Sequence, residues 1–303
     1  MTVSYVLTVY NKAPFLPEVL KAVAAERAES GGEIIVVNDG SKDDSGRILD
    51  EFAVTGPDIR IVHQANAGVV RATNVGLGLA RHPYIRLVDG DDIVARGSTR
   101  LLMRLMAESG CGYVFGGLGN YDLGNTQAHL PGVKDGPGSK KVADPLAAMI
   151  RAQLFVVSAS LGKKEVYDRV LPLPEQYFVQ DMSLGLLLAM TTDFLQIDDV
   201  YCYAPRVAPG RITDSKARLF RDSVLIVRDM VESWAPRYRA QAVRRNATRA
   251  SHYLRRHVPG SGLSRAELLM YRLFGGIPGG ALQRRMLERL AGSYDGNGEL
   301  KGR

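Results

Sequence analysis

Two rhythms of apolar residues alternate along the first 90 positions. Val3-Ser4-Tyr5-Val6-Leu7-Thr8-Val9 is a β-rich run, and Pro14 and Pro17 then open a stretch from Leu16 to Glu29 with apolar residues at helical spacing, Val19, Leu20, Val23 and Ala24. Gly31-Gly32 ends that helix. Glu33-Ile34-Ile35-Val36-Val37 is continuously apolar after its first residue, as expected of a strand covered on both faces of a parallel sheet. A helix over Asp44 to Phe52, a strand over Ile59 to Val62, a helix near Val70 to Ala80 and a strand over Tyr84 to Val88 follow. Strand and helix thus alternate four times, which predicts an α/β fold built on a doubly wound, parallel sheet. In such sheets ligands bind beyond the carboxyl ends of the strands. Tyr10-Asn11, Asn38-Asp39 and Asp89 to Asp92 all fall at those ends.

Further on, the pattern predicts a helix over Ser98 to Glu108 and a strand over Gly112 to Phe115. Residues 119–143, rich in Gly, Asp, Asn and Pro, read as a long loop or short hairpin of the kind that commonly carries function. Helices are expected from Asp144 to about Leu154 and from Asp181 to Met190, and strands at Phe194 to Ile197 and Val200 to Tyr203. From Ser215 onward helices are expected, interrupted by Gly/Pro segments at 258–263 and 275–280.

Composition narrows the class. With 46% hydrophobic and 23% charged residues in a chain of 303, large-scale disorder is not expected. The two cysteines, Cys111 and Cys202, make no disulfide framework and fit a reducing, cytoplasmic setting. The amino-terminal residues lack the basic-then-apolar pattern of a leader, so none is expected, and no apolar run approaches the roughly 18–20 residues of a spanning helix. The five histidines have no metal-ligand spacing and read as structural or surface residues. Charge is uneven. Residues 204–303 carry 20 Lys and Arg against 8 Asp and Glu, whereas residues 1–203 carry 19 against 24. A basic carboxyl-terminal region on a mildly acidic body points to a polyanionic or membrane-surface partner.

The densest chemistry is Asp89-Gly90-Asp91-Asp92. Three carboxylates this close repel one another unless a cation joins them. Mg²⁺ or Mn²⁺ favours such oxygen ligands and bridges to substrate phosphates. Taken alone, the run reads equally as an acidic turn with helix-capping aspartates.

Its company decides between the two. Val36 to Ser45, Asn66 to Gly76 and Tyr84 to Asp92 occur in that order. Together they resemble the inverting glycosyltransferase family 2, of the GT-A fold, over roughly residues 3–215. The resemblance implies a GT-A, Rossmann-like, mostly parallel sheet flanked by helices, with a helical carboxyl-terminal extension. It implies a catalytic domain over 1–213, with a nucleotide-sugar-binding half at 1–118 and an acceptor half at 119–213, and a basic helical region at 214–303. Residue by residue, Thr8 and Tyr10 would line a nucleobase pocket and Asp39 would accept a hydrogen bond from the base. Asn74 would belong to the donor site, Asp89 would serve ribose and metal, and Asp91 would be the direct ligand of Mn²⁺ or Mg²⁺. Asp92 is either a further ligand or a helix cap. Two positions depart from the family pattern: Asn38 stands for an aspartate, and Thr73 for an arginine, with Arg71 two residues away.

Inverting transfer needs a carboxylate that takes the acceptor hydroxyl proton. The resemblance aligns Asp181 with that base, with Gln180 in place of the usual glutamate and Glu175 as a rival. Arg211 falls in a segment like the family's lid. The implied donor is a nucleotide sugar, UDP-sugar favoured, and the implied acceptor a glycan or lipid-linked molecule in cell-surface polysaccharide synthesis. Amphipathic basic segments at Leu268 to Phe274 and Leu282 to Leu290 would suit a peripheral position on the inner face of the plasma membrane, or a solvated helical subdomain. No motif supports nucleic-acid binding. The alternatives are a sugar-nucleotide nucleotidyltransferase, for which Val9 to Leu16 lacks a Gly-rich phosphate loop, and an inactive binding module.

Overall fold

The computed structural model describes residues 2–56, 58–124, 130–134, 136–151, 157–207, 216–238 and, within 240–249, all but 243 and 247. These residues divide into two compact units. The first lies within Met1–Pro145, Leu154–Glu175 and Leu187–Pro209, and the second within Leu146–Gln153, Gln176–Leu186 and Gly210–Arg303.

The first unit is a sheet with helices. Strands β1 (Val3–Val9), β2 (Gly32–Asn38), β3 (Ile59–His63) and β4 (Tyr84–Asp89) pair in parallel, with β1 between β2 and β4. Helices α1 (Leu16–Ser30), α2 (Ser45–Ala53) and α3 (Val69–Leu79) connect them. All of β1 except Thr8 is buried, which explains its near-continuous apolar sequence. Pro17 sits in the first turn of α1, where its missing N–H costs nothing, and Gly31 closes the helix at φ 71°.

Beyond β4 the sheet becomes mixed. Strands β5 (Ile93–Val94), β6 (Tyr113–Tyr121), β7 (Ser139–Lys141), β8 (Ser160–Lys163) and β9 (Phe194–Pro205) complete it in the order β3-β2-β1-β4-β8-β6-β9-β5, with β7 also on β9. β8 runs antiparallel to β4 and to β6, while β6 and β9 are parallel. The short strands β5 and β8 are additions to the expected elements. The long stretch after residue 119 forms no hairpin among the described residues: β6 continues to Tyr121, and β7 pairs with β9. The two strands expected at 194–203 are one, because the β6–β9 register shifts around Gly116-Gly117 and lets β9 run on through Asp198-Asp199. A Cβ on Gly116 would lie 2.2 Å from the Tyr201 ring and 2.8 Å from Asp199 O, so this bulge needs glycine.

A buried ion pair fixes helix α4 (Ser98–Ser109) against this sheet. Arg86 of β4 is fully buried and Glu26 of α1 is 1% exposed, 3.5 Å apart. Glu26 accepts the N–H groups of Gly97 (2.5 Å) and Thr99 (2.8 Å) at the start of α4, whose own N-cap makes no side-chain bond. The glutamate thus satisfies orphan donors and complements the helix dipole from another helix. Arg86 donates to Ser98 Oγ, Thr99 Oγ1 and Tyr201 O.

The second unit holds most of α5 (Pro145–Arg151), the start of α7 (Gln180–Thr191) and α8 (Lys216–Trp234); α6 (Lys164–Asp168) belongs to the first unit. Val224, Ile226, Val227, Met230 and Val231 on α8 are buried. Asp222 accepts the Phe178 N–H at 2.6 Å, and Tyr177 donates to Asp229 at 2.6 Å. Arg245 is buried and donates to Ser223 O. Burial, with Arg249 nearby, lowers its pKa to about 9. Arg211, Arg255, Arg256 and the amphipathic segments at 268–274 and 282–290 lie outside the described residues.

Candidate active site

Strand register assembles the site. Thr8 is paired with Asp89, and Val9 with Asn38, so the carboxyl ends of β4, β1 and β2 lie side by side. The backbone continues this pairing past the strands: Gly90 N–H donates to Thr8 O (3.0 Å) and Asp39 N–H to Val9 O (2.8 Å). Polar residues that directly follow three apolar strands are therefore neighbours.

The segment after β2 holds the loop after β1. Asn11 N–H donates to Ser41 Oγ (2.9 Å), Lys42 N–H to Asn11 Oδ1 (2.8 Å), Lys12 N–H to Ser45 Oγ (2.9 Å) and Ala13 N–H to Asp43 Oδ2 (3.0 Å). Asn11 itself adopts φ 52°, a left-handed conformation that asparagine tolerates better than most residues. Tyr10, directly after β1, is 43% exposed.

Asp39 is buried and holds the next loop in place. Its carboxylate accepts from Gln64 Nε2 (2.7 Å) and from the N–H groups of Ala67 and Gly68 (both 2.9 Å), at the entry to α3. These use three of about four acceptor positions, leaving one for a ligand. Asn38 has a different partner set: its Oδ1 accepts the Ser41 N–H, and its Nδ2 lies 3.0 Å from His63 Nδ1.

Asp89 and Asp91 are the charged centre. The Asp89 N–H donates to Ser158 Oγ (3.0 Å), and Asp92 N–H returns to Asp89 O (2.9 Å), closing a tight turn. Loss of water around its carboxyl, and then the neighbouring Asp91 carboxylate, push the pKa of Asp89 up to about 6, against the pull of Lys12. Asp91 accepts the Lys12 ammonium on Oδ2 at 2.5 Å, and its backbone carbonyl accepts Tyr121 Oη at 2.8 Å. Asp92 is buried and no helix cap, since α4 begins at Ser98 behind Gly97. Its charge is felt at Cys202 of β9, whose thiol is pushed well above its usual pKa by burial first and Asp92 second.

Asn74 turns both ends of its amide to the Leu173 backbone, accepting its N–H at 2.7 Å and donating to its carbonyl at 2.9 Å. The same Nδ2 reaches Glu175, which also pairs with Arg71 at 3.1 Å. Glu175, the rival base, is therefore an ion-paired carboxylate. Thr73 is buried and bonds back to Val69 O. Asp181 stands in the first turn of α7, in the second unit, where the helix dipole favours an acidic side chain.

Among the described residues no three His, Cys, Asp or Glu side chains cluster as metal ligands. The pair Asp89 and Asp91 still fits Mg²⁺ or Mn²⁺, which take one or two protein carboxylates and complete their shell with substrate phosphates and water. Burial first, and the Asp91 carboxylate second, disfavour the Asp89 anion, a conflict that a bound cation would relieve.

Lys12, Ser158 and Tyr121 contact this centre without having been singled out in the sequence. Lys12 carried a usable signal, its place just past the end of β1. Ser158 and Tyr121 carried none, since both reach the turn from distant segments.

Residues 4–171 match the family model for glycosyl transferase family 2. The chain belongs to that family. It is 40% identical over 119 residues to an uncharacterized glycosyltransferase of Bacillus subtilis, EpsJ, a match over 37% of this chain and 33% of that protein. It is 36% identical over 121 residues to the glycosyltransferase GlyG of Streptococcus pneumoniae, over 40% of each. The matched stretch thus spans about a third to two fifths of these relatives' length. Among solved structures, TarS residues 1–349 of S. aureus in complex with UDP-GlcNAc superposes with a TM-score of 0.66 at 13% identity, covering 97% of this chain and 91% of that one. The mannosyltransferase PcManGT of Pyrobaculum calidifontis, in complex with GDP-Man and Mn²⁺, gives 0.58 at 18% identity, over 96% and 86%. The fold is the GT-A α/β fold that the sequence resemblance implied.

Proposed function

We propose that this protein transfers a sugar from a nucleotide-diphosphate donor, a UDP-sugar first, to a hydroxyl of a glycan or lipid-linked acceptor, with inversion. The observation that carries the reading is the strand-end constellation of Thr8, Asp39, Asp89 and Asp91, set side by side by register in a family 2 domain. The bound nucleotide sugars of the TarS and PcManGT structures support the donor class.

In this reading Tyr10 and Thr8 flank the nucleobase, and Asp39 offers its remaining acceptor position to a base N–H. Asp89 and Asp91 are the residues that would hold a divalent cation for the diphosphate. When bound, such an ion neutralises charge that grows on the leaving diphosphate. Asp181 takes the acceptor hydroxyl proton as the oxygen attacks the anomeric carbon, and the nucleoside diphosphate leaves from the opposite face. One displacement suffices, so no covalent enzyme intermediate forms. We place the reaction in surface-polysaccharide synthesis at the inner face of the plasma membrane, supported by the basic charge of residues 204–303. No helix among the described residues is long and apolar enough to cross a membrane.

The test is turnover of a panel of UDP- and GDP-sugars, read as nucleotide release, with Mn²⁺ or Mg²⁺. Asp181→Asn is expected to lower turnover by about 10²-fold or more while nucleotide binding is kept, as for loss of a general base. Near-normal turnover in that variant overturns the assignment. Nucleotide binding with no turnover of any donor by the unmodified chain would favour the inactive binding module. Pyrophosphorolysis of a sugar nucleotide would favour the nucleotidyltransferase.

A further inference from the structure

Lys12 is held at three levels. Its N–H donates to Ser45 Oγ at 2.9 Å. Its stem lies against the turn: a Cβ on Gly90 would stand 3.3 Å from Lys12 Cγ, and 3.0 Å from both Thr8 O and Val9 Cγ2. Glycine leaves room here: a side chain would crowd Thr8 O and Val9 first and the lysine stem next. Its ammonium is 2.5 Å from Asp91 Oδ2 and 5.9 Å from the centre of the Phe15 ring. The Lys12 and Asp91 side chains are 17% and 13% exposed, so water screens the pair only partly.

We propose that Lys12 is the internal counter-ion of Asp91, which a divalent cation must displace and which the donor's diphosphate draws away, so that metal enters well only together with nucleotide. The proposal rests on the reading of Asp91 as a metal ligand. An ammonium has three donors and no acceptor, so it cannot share a coordination shell with the cation. A lysine and a dication on one carboxylate also repel strongly in a half-buried site. A diphosphate relieves both conflicts, because its oxygens complete the metal's shell and receive the ammonium. Lysine suits such an exchange better than arginine, being a compact charge on a flexible stem.

The test is calorimetric titration of Mn²⁺ into the full chain, without nucleotide and then with saturating UDP or GDP. Without nucleotide, Lys12→Met is expected to bind Mn²⁺ roughly tenfold or more tightly than the unmodified chain, as removal of a close like charge requires. Lys12→Gln should shift in the same direction, and the double variant Lys12→Met/Asp91→Asn should lose the gain. With nucleotide present the advantage of Lys12→Met should close or reverse. A misfolded variant does not gain affinity, so the expected result cannot come from structural damage. If Lys12→Met and Lys12→Gln bind Mn²⁺ no more tightly than the unmodified chain, while Asp91→Asn weakens Mn²⁺ binding with nucleotide, the counter-ion proposal is overturned and the ligand reading stands. If Asp91→Asn binds Mn²⁺ normally with nucleotide, the ligand reading itself fails.

Discussion

Asn38 makes two bonds that an aspartate could make together only with a proton on His63 Nδ1. Its oxygen accepts the Ser41 N–H and its NH₂ faces His63 Nδ1, while His63 Nε2 lies 2.9 Å from Asp50. The carboxylate at one ring nitrogen favours a proton there, which leaves the other nitrogen to accept from the amide. The departure from the family pattern is thus a structural substitution within the turn, and Asp39 beside it keeps its loop bonds. Asp43, further along the same segment, carries a pH prediction. Partial desolvation works to raise its pKa, but hydrogen bonds from the Ser45 hydroxyl and from the N–H groups of Ala13 and Ser45 outweigh it and hold the pKa below 3.8. A folded-state pKa below the unfolded one stabilises the protein above the unfolded value, and that stability is lost as pH falls through the folded value. Thermal melts of the unmodified chain and Asp43→Asn should therefore differ by a steady margin from pH 7 to about 5, with the margin closing toward pH 3. A margin independent of pH would refute the role of the charge. Asp39, Asp89 and Asp91 were legible in the sequence because acidic residues directly after buried strands have few structural reasons to be there. Lys12 carried only its place past the end of β1; its pairing with Asp91 was not legible, because the two lie 79 residues apart and only strand register joins them.

Elements were legible where they were long and periodic. The bounds of β1, α1, β2, α2, β3, α3 and β4 fall within two residues or so of the pattern's expectations. The short β5 and β8 escaped because two to four residues show no period, and β8 contains Gly162. The Asp198-Asp199 pair read as a break, yet the bulge opposite it keeps one strand. Arg86 gave no warning either, since a charged residue inside a buried strand is intelligible only once Glu26 and the start of α4 are seen around it. Removing one partner of such a pair leaves the other buried and unpaired. Glu26→Ala should cost about 3–5 kcal/mol in urea unfolding, far more than an exposed glutamate such as Glu51. A loss below about 1 kcal/mol, the range of surface pairs, would mean that Arg86 finds other partners.

At the scale of the whole molecule, the charge distribution was visible in advance. The acidic body and basic carboxyl-terminal region are facts of composition. The assignment of 146–153 and 176–186 to the second unit is not, because it depends on helices that pack with segments distant in sequence, as in the Gln241 bond to Ala147 O. Asp39, Asp89 and Asp91 belong to the first unit and Asp181 to the second. Ligand that binds only the folded state raises its melting temperature. The direct test is a thermal-shift screen of nucleotide sugars with Mn²⁺ on the unmodified chain and on Asp91→Ala. At least one sugar nucleotide should stabilise the unmodified chain only when Mn²⁺ is present, and that shift should vanish in Asp91→Ala although the variant melts cooperatively. A shift of equal size in Asp91→Ala would contradict a donor site centred on this carboxylate.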